Sequence, residues 1–225
     1  MWYNATYELG VTKLQNEREV PEIIIKRLPR YYRYLSDLLE QGITRISSNA
    51  LSEKMKVTAS QIRQDFNCFG KFGQQGYGYN VELLYRQIGE ILGLDTPNKA
   101  VIVGAGNLGH ALANHTGFEK RGFEIKGIFD NRKDVVGTYI NKIPVMDISE
   151  IENFVKKENI TIAVLAVPTS VVQDIADKLT DCGILGFLNF SYAEIKVKNS
   201  VSVENVHLSD GLMTLSYKIK KNSAE

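Results

Sequence analysis

Apolar positions recur at helical spacing over much of 21–92 and in short strand-like runs from Lys99 on, so the chain reads as two kinds of segment. Pro21 and Pro29 each suit the first position of a helix, where a missing N–H costs nothing. The second of these helices is expected to run to about Gln41, with Tyr32, Leu35, Leu38 and Leu39 on one face and Gly42 as its stop. Ser47 or Ser48 can cap a helix reaching about Met55. Lys56 and Val57 then make a tight turn. Thr58 and Gln61 fit the T-x-x-Q capping spacing, which predicts a further helix over 59–67. Residues 70–79 alternate glycine with aromatic and polar side chains, the pattern of a hairpin with a flexible tip. One more amphipathic helix follows over 81–92, and 93–98, with Pro97, is the expected linker. Helix, helix, helix, hairpin is the order of a winged helix, assigned to 21–93, while 1–20 shows little apolar periodicity and is read as a short extension.

Beyond the linker, apolar runs over 99–103, 124–129, 161–167 and 186–190 alternate with helical patterns over 107–115, 149–157 and 170–180. Such alternation builds βαβ units, so 94–225 is expected to be a doubly wound parallel sheet with helices on both faces, and the chain as a whole is α/β. A last amphipathic stretch, 209–220, places Leu212, Leu215 and Ile219 at helical spacing after that sheet is complete.

Composition narrows this little: 225 residues, 44% of them hydrophobic, with 27 basic against 26 acidic side chains, exclude collagen, low-complexity disorder and coiled-coil rods. The longest near-apolar run, 160–168, falls far short of the ~20 residues that cross a bilayer, and 1–17 lacks a basic start followed by an apolar stretch. The expectation is a cytoplasmic protein with no membrane partner. Cys68 and Cys182 cannot form a CxxC motif, and no metal site is expected. Charge is unevenly spread. Between Glu22 and Gly78 stand nine basic and five acidic residues, so the near-neutral whole carries a basic N-terminal part.

The first sheet strand runs into Gly104-Ala105-Gly106-Asn107-Leu108-Gly109, a G-x-G-x-x-G that opens a helix. Gly104 allows the tight turn, Gly106 lets the backbone approach a pyrophosphate, and Gly109 lets helix and strand pack closely. Asp130, twenty-one residues past Gly109 at the end of the next strand, stands where an acid accepts the hydrogen bonds of an adenosine ribose. The plain alternative is a glycine turn with a capping acid. A carboxylate there favours NAD(H) over NADP(H), although Arg132 and Lys133 beside it weaken the preference.

The helix expected from Thr58 carries Ser60, Gln61 and Arg63, side-chain types that bond base edges or phosphates in a major groove, although taken alone it equally fits a packing module. Arg45 and Lys71 are candidate phosphate contacts. Arg30, Ser47 and Gln74 complete the expected DNA-facing set. Catalytic machinery is not evident. His110, His115 and His207 are the only histidines, and the residues after Asp130 are consumed by the sheet. A small nicotinamide-dependent oxidoreductase is the alternative reading, and a regulator that binds another nucleotide such as coenzyme A is a third.

Taken together, Arg27-Leu28-Pro29-Arg30-Tyr31-Tyr32-Arg33-Tyr34-Leu35, Ser47-Ser48, the Thr58 to Phe66 run, Gly73-Gln74-Gln75-Gly76-Tyr77-Gly78-Tyr79, the glycine motif and Leu188-Asn189-Phe190 resemble the Rex family of redox-sensing repressors over about Val20 to Lys220. The resemblance implies a homodimer with a domain-swapped C-terminal helix. Its winged helices would hold a palindromic operator with NAD⁺ or no ligand and release it with NADH. It also implies cofactor contacts at Asn131, Val167 and Pro168, and a switch at His115 and His207. The family has a tyrosine and an aspartate at those last two positions, which exchange partners with an arginine matching Arg33. His207 removes an anionic partner for Arg33, which implies either an altered switch or simple drift.

Overall fold

The computed structural model describes residues 20–69 and 78–223. Two compact units divide the chain, Met1–Gly93 and Leu94–Glu225. The expected extension, apart from Val20, and the expected wing residues 70–77 lie outside the described residues.

The first unit contains α1 (Glu22–Ile25), α2 (Leu28–Glu40), β1 (Arg45–Ile46), α3 (Ser48–Met55), α4 (Ala59–Asn67), β2 (Tyr79–Asn80) and α5 (Val81–Ile91). Three of its helices start on a side chain that accepts a hydrogen bond from the third helical residue: Ser47 from the Ala50 N–H, Thr58 from the Gln61 N–H and Asn80 from the Leu83 N–H. Pro29 is the second residue of α2, whereas Pro21 is the residue before α1 and not its first. The turn between α3 and α4 closes on Lys56 in the left-handed conformation (φ 53°). β1 and β2 pair antiparallel, Arg45 opposite Asn80 and Ile46 opposite Tyr79. Gly78, at the foot of that pair, has φ 70°, and a Cβ there would stand 2.6 Å from the Ile46 carbonyl oxygen. Leu28, Tyr31 and Leu35 of α2, Leu51 of α3, Ile62 and Phe66 of α4, and Leu84 and Ile88 of α5 form one core.

The second unit is a seven-stranded sheet. Its strands are β3 (Asn98–Val103), β4 (Phe123–Asp130), β5 (Tyr139–Ile140), β6 (Ile143–Asp147), β7 (Ile162–Leu165), β8 (Gly186–Asn189) and β9 (Ser202–Asn205), in the order β5-β6-β4-β3-β7-β8-β9. All neighbouring pairs are parallel except β5 with β6. Leaving β5 aside, this is the doubly wound order in which the chain leaves the central strand in one direction and later returns to its other side. Alternate residues of the central strands serve opposite faces. Val101, Val103, Ala163 and Leu165 pack with α7 (Ile151–Glu158) and α8 (Val172–Asp181), while Ile102, Ile128 and Val164 share a core with Ala113 of α6 (Asn107–Ala113). Both faces being buried explains why β3 reads as a continuous apolar run.

Sequence pattern missed β5, β6 and β9. Pro144 inside β6 argues against a central strand, and the structure resolves this by using β6 near the edge, closed to β5 through Asn141 and Lys142, both with positive φ. β9 is a short, largely exposed edge strand. The last helix, α9 (Leu208–Asn222), buries none of its residues. Leu208, Leu212, Met213, Leu215, Tyr217 and Ile219 are all exposed on it.

Candidate functional site

In the first unit, the outward face of α4 carries Ser60, Arg63, Gln64 and Asn67, at i, i+3, i+4 and i+7, all exposed, while Ile62, Asp65 and Phe66 are buried beneath them. Gln64 and Asn67 were missed from the sequence, although the buried Ile62 and Phe66 fix the phase of the helix and would have found them. Gln61 does not share that stripe. Its amide donates to Asp65 Oδ1 at 2.9 Å, so the second half of the capping box is absent and the side chain is turned inward, away from the expected base contact. Ser47 is likewise committed as the cap of α3. Arg30 and Arg45 are exposed, and Lys71 and Gln74 lie outside the described residues.

Asp65 anchors the helix from behind. It is fully buried and accepts from Arg27 Nε at 2.7 Å, Arg27 Nη2 at 2.6 Å and the Tyr31 hydroxyl at 2.8 Å, besides Gln61. Burial by itself would raise its carboxyl pKa, but these donors, Arg27 first, outweigh burial and hold it below the ordinary range. The Tyr31 phenol is pushed upward, first by burial and then by its bond to Asp65.

In the second unit a cleft of about 750 Å³ opens at the carboxyl ends of β3, β4 and β7, where the sheet order reverses. Ligands of wound sheets bind at such a switch point. Gly104, Gly106, Asn107 and Leu108 form one wall, Asp130, Asn131 and Arg132 a second, and Val167 and Pro168 a third. Ile148, Val171, Asp174, Ile175 and Lys178 also line it, and no motif in the sequence marked them.

The three motif glycines are glycine for different reasons. Gly104 has φ 102°, and a Cβ on it would overlap the Ala166 carbonyl. At Gly109 a Cβ would overlap the Gly104 carbonyl, so this residue serves packing and stands behind the cleft. Gly106 has an extended backbone (φ −73°, ψ −172°) open to any residue, and its Cβ would meet nothing within 4 Å. The protein has no need of a glycine at 106. What a side chain there would fill is the cleft itself, beside a helix start that no side chain caps. These residues therefore fit a group carrying phosphates that lies against the turn.

Asp130 is nearly buried and holds the turn in place, Oδ2 accepting from the Ala105 N–H at 2.7 Å and Oδ1 from the Arg132 N–H at 2.9 Å. Arg132 folds back on it, Nε to Oδ1 at 3.1 Å, and Nη2 also donates to the Ala105 carbonyl at 2.9 Å. Burial raises the Asp130 carboxyl pKa and these donors lower it by more, so it stays ionised. Ala105 is thus part of the scaffold behind the cleft.

The structure does not bring His115 or His207 to this cleft within one chain. His115 is exposed and lines a separate cavity of about 550 Å³ with Thr116, Phe118 and Asn141, its ring edge-on to Phe118 at 5.0 Å. His207 precedes α9, 5.9 Å between ring centres from Tyr192, with its Nε2 buried and unpartnered. Among the described residues there is no cluster of three or more metal-ligating side chains, and no helix is long and apolar enough to cross a membrane. Cys68 and Cys182 are unpaired thiols.

Comparison with known proteins gives two family matches, a putative DNA-binding protein N-terminus over residues 19–67 and a CoA binding domain over 95–193. The chain is 51% identical to the redox-sensing transcriptional repressor Rex of Thermoanaerobacter pseudethanolicus, over 92% of this chain and 93% of that one. It is also 51% identical to the repressor of the same name from Clostridioides difficile, over 91% and 97% of the two chains. Among solved structures it is similar to the Rex-family repressor RSP in complex with β-NAD⁺ and operator DNA (51% identity, TM-score 0.85, covering 91% of this chain and 94% of that one). The same protein in complex with β-NADH matches at 48% identity and TM-score 0.84, covering 92% and 97%.

Proposed function

The chain belongs to the Rex family of redox-sensing transcriptional repressors, and on that premise we propose that it is a cytoplasmic homodimer that holds a palindromic operator with NAD⁺ or no ligand and releases it with NADH. It is a DNA-binding regulator of transcription and not an enzyme. The observation that carries the ligand half is Gly106, where a Cβ would meet no atom of the chain but would enter the cleft. The residues that would hold NAD(H) are Gly104, Gly106, Asn107 and Leu108 along the turn, Asp130 and Asn131 at the adenosine end, and Val167 and Pro168 opposite. The nicotinamide supplies the redox difference to be sensed. DNA would be met by Ser60, Arg63, Gln64 and Asn67 on α4, with Arg30, Arg45 and Lys71 toward phosphates.

Exchange of α9 between two copies accounts for six large exposed apolar side chains on one helix. It also accounts for an apolar hollow of about 340 Å³ on the sheet, lined by Ile125, Ile162, Val164 and Leu188. The test is a gel-shift series on a palindromic operator with NAD⁺, NADH, coenzyme A or no ligand, with light scattering on the same sample. Retention with NAD⁺ and without ligand, release by NADH and the mass of two chains are expected. Equal retention with both dinucleotides, release by coenzyme A, or the mass of one chain would overturn the corresponding part of the reading.

A further inference from the structure

Asp130 stands where an acid is expected to take the hydroxyls of an adenosine ribose, yet its carboxylate is already saturated. Oδ1 accepts from the Arg132 N–H and Nε, and Oδ2 from the Ala105 N–H and, at 3.4 Å, Arg132 Nη2. The two backbone donors are fixed by the turn. Only the guanidinium can leave, and its side chain is about half exposed (47%) and lies on the cleft rim. A second bond, from Nη2 to the Ala105 carbonyl, spans acid and glycine turn, so the guanidinium covers the carboxylate that would otherwise be open to a ribose. Among the described residues Nη1 has no hydrogen-bond partner.

An acid at this position excludes NADP(H) because it repels the 2′-phosphate. Here the repelling charge is covered by a planar fork of donors of the kind that binds phosphate oxygens in pairs. The rim as a whole is not basic, since Asp147 stands toward Lys133 and Asp134 toward Arg132. What distinguishes Arg132 is its position over the acid, not net charge. We propose that Arg132 is the specificity-determining residue at the adenosine end: it must swing off Asp130 for NADH, and it receives the 2′-phosphate of NADPH, so that the cleft admits the phosphorylated dinucleotide as well. This rests on the reading of the cleft as a dinucleotide site.

Fluorescence titration of the full chain with NADH and with NADPH tests it, in wild type, Arg132→Ala and Lys133→Ala, with a thermal melt confirming that each variant folds. Wild type should bind both. Arg132→Ala should raise the Kd ratio of NADPH to NADH on the order of tenfold or more, by weakening NADPH and by leaving NADH unchanged or tighter. Lys133→Ala removes the same charge one residue further on and should leave the ratio within about twofold. No NADPH binding in wild type, an unchanged ratio in Arg132→Ala, or an equal shift in Lys133→Ala would overturn the proposal. Failure of wild type to bind either dinucleotide would overturn the reading of the cleft instead.

Discussion

The guanidinium of Arg27, ahead of α2, grips the carboxylate of Asp65, in the middle of α4, through two hydrogen bonds of 2.7 and 2.6 Å. Asp65 is buried and its pKa is depressed, so the stability it contributes is present above the unfolded carboxyl pKa and is lost as pH falls through the folded value. Removing the acid while leaving Arg27 and Tyr31 in place strands buried donors. Asp65→Ala should cost the first unit about 3–5 kcal/mol. Thermal or urea unfolding of wild type and variant, run from neutral pH downward, should show the gap closing in acid. A gap that does not depend on pH would mean that Asp65 stabilises by packing and not by its charge.

Gly106 and Gly109 belong to one motif and should fail in opposite ways. Gly106→Val fills open cleft, so the fold should survive while dinucleotide affinity falls on the order of a hundredfold or more. Gly109→Ala drives a methyl into the Gly104 carbonyl, so it should destabilise the second unit by about 1–3 kcal/mol or more before any effect on ligand is read. Calorimetric titration and a melt on each variant separate the two. An unchanged ligand affinity in a folded Gly106→Val protein would remove the reason for placing phosphates at the turn.

On α4, Arg63→Ala should weaken operator binding by about 1–3 kcal/mol and relax sequence preference, because Arg63 points outward from a helix whose inner face is pinned by Asp65. Lys71→Ala should weaken operator and unrelated DNA alike and flatten the salt dependence. Competition gel shifts over a salt series measure both. If Arg63→Ala loses affinity equally for every sequence, Arg63 holds a phosphate, and base reading falls to Gln64 and Asn67.

The sequence made the caps, the glycine turn and the wound sheet legible because each rests on local chemistry or a fixed period. Thr58 starts α4 where its hydroxyl dictates. It could not show that Gln61 would turn back to Asp65, because that bond requires Arg27 and Tyr31, more than thirty positions away, to gather on the same carboxylate. Asp130 was legible by its spacing. Arg132 lying on it was not, since an exposed arginine two residues on has many rotamers, and the Asp130 carboxylate and the Ala105 carbonyl together select this one. Strands β5, β6 and β9 were lost to Pro144 and to runs too short to carry a period.

The last expectation concerns His115 and His207, the two positions at which the resemblance implies a tyrosine and an aspartate. In one chain the two lie in different surroundings, His115 edge-on to Phe118 and His207 beside Tyr192 ahead of α9, so bringing the second toward a partner's first would take the exchange of α9 proposed above. A histidine at 207 offers no permanent negative charge to Arg33. The arrangement that favours DNA should then be less firmly locked than with an aspartate there. A redox ligand moves a two-state equilibrium only by its differential affinity, so the operator affinities with NAD⁺ and NADH should differ less here. Operator binding with each saturating dinucleotide checks this, in wild type and in His115→Tyr combined with His207→Asp. The double substitution should enlarge the difference. A large response in wild type, not enlarged by the substitutions, would leave both histidines outside the switch.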